Sequence, residues 1–206
     1  MDTKQKIVQA AVEIFAERGR HGARMEEIAA RAEVNKAMVY YYFTTKENLF
    51  HEVIVLVMRE LYQTIFEQLG KPGTENDNPL DRIRRMVTSH FEAFALHENY
   101  AKVFVQAITH DPDEVKNTMD MFRKANSNMN PQTFLSVFEE GKEKNIFRTI
   151  DTQQALMCLM GMSMILFFGK PMAEVMFHSM PGAPDVQGAS GETITDLFLY
   201  GIVKRT

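Results

Sequence analysis

The side chains of this chain that could do chemistry concentrate in Lys36-Ala37-Met38-Val39-Tyr40-Tyr41-Tyr42-Phe43, with Lys46 just beyond. Their chemistry is contact with a nucleic-acid duplex. Lys36 can donate to guanine O6 and N7 or to a phosphate, and Ala37 lets the backbone approach closely and can touch a thymine methyl. Tyr40 and Tyr41 offer hydroxyls to phosphates and rings to sugars or base edges. Lys46, at a helix start, suits a phosphate that the helix N-terminus also attracts. Met38 flanks this surface, and Arg24, ahead of the preceding helix, is the remaining candidate for phosphate.

These side chains need two short helices to place them. The spacing predicts one helix over Met25–Ala32, a turn at Glu33-Val34-Asn35, and a second over Lys36–Tyr42. Asn35 is then the N-cap of the second helix. At about 100° per residue, Val39 and Phe43 share one face and pack on Ile28 and Val34. Ala37 and Tyr41 point the opposite way, and Tyr42 falls at the edge of the core. Lys36 stands at the start of the helix, where a recognition helix enters the major groove.

Charge fits this arrangement once it is divided. The net charge is −4, but residues 1–50 carry eight Lys+Arg against seven Asp+Glu, which leaves 15 against 20 for the rest. The stretch from Lys36 to Lys46 holds no acid. Only charges within about a Debye length of the phosphates matter, so a basic surface on an acidic body suits DNA.

The remaining segments also read as helix. Lys4–Arg18 repeats Ile7, Ala11, Ile14 and Phe15 before Gly19, a stop signal, and Lys46 to about Leu69 repeats Leu49, Val53, Val57, Leu61 and Ile65. Gly70–Asn78 reads as a linker. Asn78-Pro79, Asp111-Pro112 and Asn130-Pro131 each set a capping side chain before a proline suited to the first helical position. Asp151 with Gln154 resembles a capping box for an apolar helix, Asp151–Gly169. Met180–Gly191 is a loop rich in Gly and Pro, and Glu192–Val203 a last helix. No alternating strand pattern appears, so the expected fold is all-α.

Other chemistries find little support. His90 and His97 are spaced i, i+7 on one expected helix and His110 precedes Asp111, but this spacing gives no convergence on a metal. Met157, Met160 and Met164 could hold Cu(I), yet the same residues suit a dimer core. Cys158, the single cysteine, has no cation nearby in sequence and is expected to be an inert buried thiol. No nucleophile set, phosphate-binding glycine loop or paired-acid motif stands out, so neither an enzyme nor a bound cofactor is expected. The apolar run Ala155–Gly169 is 15 residues, short of the roughly 20 that span a bilayer. The opening MDTKQK does not look like a signal peptide. With one cysteine, a reducing cytoplasm is the expected setting.

Taken together, Ala10-Ala11, Phe15-Ala16, Gly19, Ile28-Ala29, Ala32-x-Val34, Tyr40-x-Tyr42-Phe43 and Lys46-Glu47-x-Leu49 resemble the N-terminal domain of TetR-type transcriptional regulators. The resemblance covers Ile7–Val53. Two positions depart from the family pattern: Arg24 where Thr is common, and Glu33 where Gly is usual. Arg keeps a phosphate role and loses the cap. A non-glycine at Glu33 costs on the order of 1 kcal/mol if φ there is positive.

The resemblance implies a three-helix helix-turn-helix DNA-binding domain over 1–48 and a larger helical ligand-binding and dimerisation domain over 49–206. It implies a homodimer through the last two long helices, bound to a pseudo-palindromic operator as a repressor and released by a small molecule. The Met- and Phe-rich body suggests a hydrophobic effector, with Phe91, Phe94, Phe104, Ile108, Phe122, Phe138, Met160 and Met164 as candidate lining. The alternatives are an activator, a regulator controlled by a protein partner, or an all-α small-molecule-binding protein or enzyme that does not use DNA.

Overall fold

The computed structural model describes residues 2–69, 78–125, 132–177 and 191–203. Ten helices run through them: α1 (Thr3–Gly22), α2 (Met25–Arg31), α3 (Lys36–Phe43), α4 (Lys46–Leu69), α5 (Pro79–Leu96), α6 (Glu98–His110), α7 (Pro112–Ala125), α8 (Gln132–Glu143), α9 (Thr152–Phe177) and α10 (Gly191–Ile202). Among the described residues there is no strand, only one isolated antiparallel bridge between Phe147 and Val203. The fold is all-α.

Local chemistry explains several helix ends. The Asp2 carboxylate accepts from the Gln5 N–H at 2.7 Å while the Gln5 side chain accepts from the Asp2 N–H, which closes a capping box on α1. Asn78 and Asp151 accept from Asp81 and Gln154 N–H groups at 3.0 and 2.9 Å, as their caps require. Gly19 has φ 67 and ψ 168, a conformation essentially restricted to glycine. The regular helix stops there, and one further turn carries the chain to Gly22.

Several boundaries differ from expectation. The helix after Asp151 does not stop at Gly169 but continues to Phe177, through Pro171. Gly191 opens α10, where a loop was expected. The Asn130-Pro131 signal, most of the Gly70–Asn78 linker and the loop up to Ser190 lie outside the described residues. His97 is not on the helix of His90: the chain breaks between α5 and α6 with His97 at φ −126 and ψ 53, and its ring stacks on Tyr100 at 5.1 Å. Neither Gly nor Pro marks that break.

The chain divides into two compact units, residues 1–63 with 96–127, and 64–95 with 128–206. In the first, α1 packs on α2 and α6, α2 on α3, and α6 on α7. Its core holds Ile7, Phe15, Ile28, Val39, Leu49, Ile54 and Met58, all inaccessible to solvent. Phe15 meets Phe50 edge-on at 5.3 Å, which ties α1 to α4. Polar contacts tie α6 to α1: Tyr100 donates to Gln9 at 2.9 Å, Gln106 donates to the Ala16 carbonyl at 3.3 Å, and Arg20 pairs with Asp111.

In the second unit α9 packs on α8 and α10. Phe138 is fully buried between Phe147 and Phe198, with ring centroids 6.3 and 6.1 Å away. The turn after α8 delivers Phe147 there. Ile146 and Phe147 N–H groups both donate to the Gly141 carbonyl, and Asn145 takes φ 55. This is the left-handed helix ending that asparagine tolerates. A Cβ on Gly141 would lie 2.0 Å from the Phe147 ring, so only glycine lets the ring seat.

Candidate nucleic-acid interface

The two short helices form as their sequences dictate. The Asn35 side chain accepts from the Met38 N–H at 2.9 Å and starts α3. Val39 and Phe43 are buried with Ile28, while Val34 is half-buried. The opposite face of α3 is open: Tyr41 is 78% exposed, Tyr40 41% and Tyr42 37%, and Lys36 and Ala37 are exposed too. Met38 is half-buried. Tyr42 therefore lies at the margin of the exposed face, with its ring edge-on to Tyr41 at 5.2 Å.

The turn between the helices adopts a left-handed ending. Val34 N–H donates to the Ala29 carbonyl at 3.0 Å and Glu33 N–H to the Ala30 carbonyl at 3.2 Å, with Glu33 at φ 56. This is the position whose residue would be glycine on conformational grounds alone. Another tight turn follows α3. Thr44 has φ 54 and ψ −50, and the Thr45 N–H donates to the Phe43 carbonyl. That is a three-residue turn of the rare, strained hand, and it sets the direction in which α4 leaves the recognition helix.

The basic candidates have different surroundings. Arg24 is exposed, and as N-cap of α2 it makes no side-chain cap; Glu27 accepts from its backbone N–H at 3.3 Å instead. Lys36 pairs with Glu26, and its ammonium lies 5.5 Å from the centre of the Tyr40 ring. The Lys46 ammonium donates to the carbonyls of His21 and Ala23, at 3.4 and 3.2 Å, so it holds the loop between α1 and α2. Lys4, not singled out from the sequence, is 5.7 Å from the Phe43 ring and pairs with Glu52. The first turn of α1 therefore adjoins the end of α3, a proximity without any signal in local spacing. Arg31 pairs with Glu13 and Glu17 and fastens α2 to α1; these hydrogen bonds hold its guanidinium above the usual range.

The candidate effector residues fall in both units. Phe104, buried, Ile108, exposed, and Phe122, half-buried against Tyr62, belong to the first. Phe94 and Phe138, buried, and Phe91, Met160 and Met164, half-buried, belong to the second. A cavity of about 400 Å³ in the first unit is lined by Arg20, His21, Phe50, Gln106 and His110 among others, and by none of these eight. Cys158 is exposed, contrary to the buried thiol expected, because it shares with Met157 and Gly161 a face of α9 that its unit leaves uncovered. Among the described residues, no group of three or more His, Cys, Asp or Glu could hold a metal. No helix there is long and apolar enough to cross a membrane.

An N-terminal helix-turn-helix with an open recognition face, carried on a helical body, defines a class of DNA-directed regulator. Residues 7–53 match the family model of bacterial regulatory proteins of the TetR family, and residues 76–166 match that of a tetracycline-repressor-like C-terminal domain. The chain belongs to the TetR family of transcriptional regulators. It is 25% identical over 146 residues to the HTH-type transcriptional repressor NicS of Pseudomonas putida, covering 71% of this chain and 66% of that one. It is 28% identical over 98 residues to the fatty acid metabolism regulator protein of Bacillus subtilis, 48% of each. The chain thus spans less than two thirds of the length of these curated relatives. A solved ketosteroid transcriptional regulator, KstR2 of Mycobacterium tuberculosis, superposes with a TM-score of 0.71 at 18% identity, over 99% of this chain and 96% of that one. That likeness is one of fold.

Proposed function

We propose that this protein is a homodimeric repressor that binds a pseudo-palindromic DNA operator through α3 and is released by a small hydrophobic effector. The observation that carries the DNA half is the exposure of Lys36, Ala37, Tyr40 and Tyr41 on one face of α3 while Val39 and Phe43 anchor the other. Arg24 and Lys46 flank this face for phosphates, and Met38 borders it. The DNA-binding domain occupies residues 1–48, and 49–206 form the ligand-binding and dimerisation domain.

The dimer reading rests on apolar side chains that α9 and α10 leave in solvent. Met157 is 70% exposed and Tyr200 71%, and Leu197, Val175 and Met176 are also open. Apolar exposure on two neighbouring helices is what a second copy would cover. A twofold dimer sets its recognition helices about one DNA turn apart, roughly 34–36 Å. The effector reading rests on the aromatic and methionine content of the body and on kinship with a relative whose name refers to fatty acid metabolism. Its relatives are named as transcriptional regulators, and the chain acts by binding DNA rather than as an enzyme.

Selection of bound sequences from random duplex DNA tests the central reading. A recovered sequence with twofold symmetry is expected; no enrichment at low salt would reject it. Equal operator affinity with and without a bound hydrophobic ligand would reject release by an effector.

A further inference from the structure

An acid stands among the cations of the reading surface. Glu26, exposed on the first turn of α2, pairs with the ammonium of Lys36, the first residue of α3. The hydrogen bond from Lys36 foremost, then one from the backbone, hold Glu26 below the usual carboxylate range, and the charge of Arg24 adds a smaller part. The helix starts also have other partners: Glu27 accepts from the Arg24 N–H at the start of α2, and Asn35 caps α3. An ion pair this open to water contributes little to folding. What it does change is the field at the DNA-facing surface.

We propose that Glu26 is a specificity-determining residue, an anion that withholds Lys36 from phosphates and so penalises binding to arbitrary duplex more than binding to the operator. This rests on the reading of α3 as the recognition helix. Non-specific affinity consists almost wholly of cation–phosphate contacts and the counterions they release. A carboxylate paired with Lys36 cancels one such contact and repels the phosphates nearest to it. Base edges carry no formal charge, so the same carboxylate opposes their approach far less. There Lys36 can donate to guanine O6 and N7, while Glu26 can accept from the N4 amino group of a cytosine. Discrimination then comes from a penalty on the wrong complex as well as contacts to the right one.

The test compares the parent protein with Glu26→Gln, Lys36→Gln and the double variant, on the selected operator and on random duplex over a range of salt. Thermal unfolding confirms that each variant is folded. For Glu26→Gln, affinity for random duplex should rise by about three- to tenfold, with the slope of log K against log salt steeper by about one, as for one added phosphate contact. Operator affinity should rise less or fall, so the ratio of specific to non-specific binding drops. In the Lys36→Gln background the same change should leave the slope where it was. An unchanged ratio, an equal gain on both DNAs, or a full effect without Lys36 would overturn the role given to Glu26. If the parent protein selects no sequence at all, the recognition-helix reading fails, and this proposal with it.

Discussion

The ammonium of Lys46, on the first turn of α4, lies 3.2 Å from the carbonyl oxygen of Ala23, in the loop that leads into α2. A side chain suited to a DNA phosphate is therefore also the tie between α4 and the end of α1. Lys46→Met should lower affinity for all duplexes and reduce the salt slope by about one. It should also cost about 1 kcal/mol of stability, because the His21 and Ala23 carbonyls lose a charged donor. Salt titrations and urea unfolding separate the two effects; an unchanged unfolding midpoint would mean that the tie carries no stability.

Glu33→Gly should stabilise the protein. At φ 56 a Cβ costs on the order of 1 kcal/mol, and glycine removes it, less what it adds to the entropy of the unfolded chain. Glu33→Ala keeps the Cβ and should show no gain. Melting temperatures of the two variants, side by side, decide this.

Gly141→Ala should destabilise by about 1–3 kcal/mol or more, since its methyl would occupy the space of the Phe147 ring. Adding Phe147→Leu to this variant should recover part of the loss. Chemical denaturation of the single and double variants measures the coupling between the two sites.

His90 should make the protein acid-sensitive in a window above that of its carboxylates. Burial, with Phe94 and Phe134 alongside, pushes its imidazole below the ordinary value of about 6.5, while its Nδ1–H donates to the Met86 carbonyl at 2.7 Å. The folded chain then binds fewer protons than the unfolded chain in weakly acidic solution. The stability so gained is complete above the unfolded pKa and is lost as pH falls through the lower, folded one. Glu139 and Glu140, held low by Lys142 and Lys144, lose their contribution only at the more acidic pH where carboxylates protonate. Unfolding free energies of the parent should fall between pH 7 and 5 more steeply than those of His90→Gln; parallel curves would refute this.

Leu197→Glu with Tyr200→Glu should leave the protein folded and monomeric. Both side chains are exposed on α10, so the change disturbs no core packing. Sedimentation velocity reads the mass, and operator affinity should fall with it because two half-sites are no longer engaged together. A parent chain that is monomeric at binding concentrations would contradict the dimer reading.

Much of this molecule is local in origin, and so its sequence determined it. Asn35, Asn78 and Asp151 cap the helices they precede, Gly19 ends the regular part of α1, and the periodicity of Val39 and Phe43 fixes which face of α3 is buried. Each depends on residues within a few positions, where propensity and hydrogen bonding act directly. The resemblance marks Glu33 as a place where glycine is usual, and the structure gives it φ 56. The break at His97 and the continuation of α9 through Pro171 did not, because packing with other helices outweighs weak local preferences there. Which cation is available to DNA was equally hidden. Lys36, Lys46 and Arg24 look alike along the chain, but the fold sets Glu26 against the first and the carbonyls of α1's end against the second, and leaves the third exposed. Those contacts join residues 10 to 25 positions apart, a separation at which spacing carries no information and only the packing of α1, α2, α3 and α4 decides what meets.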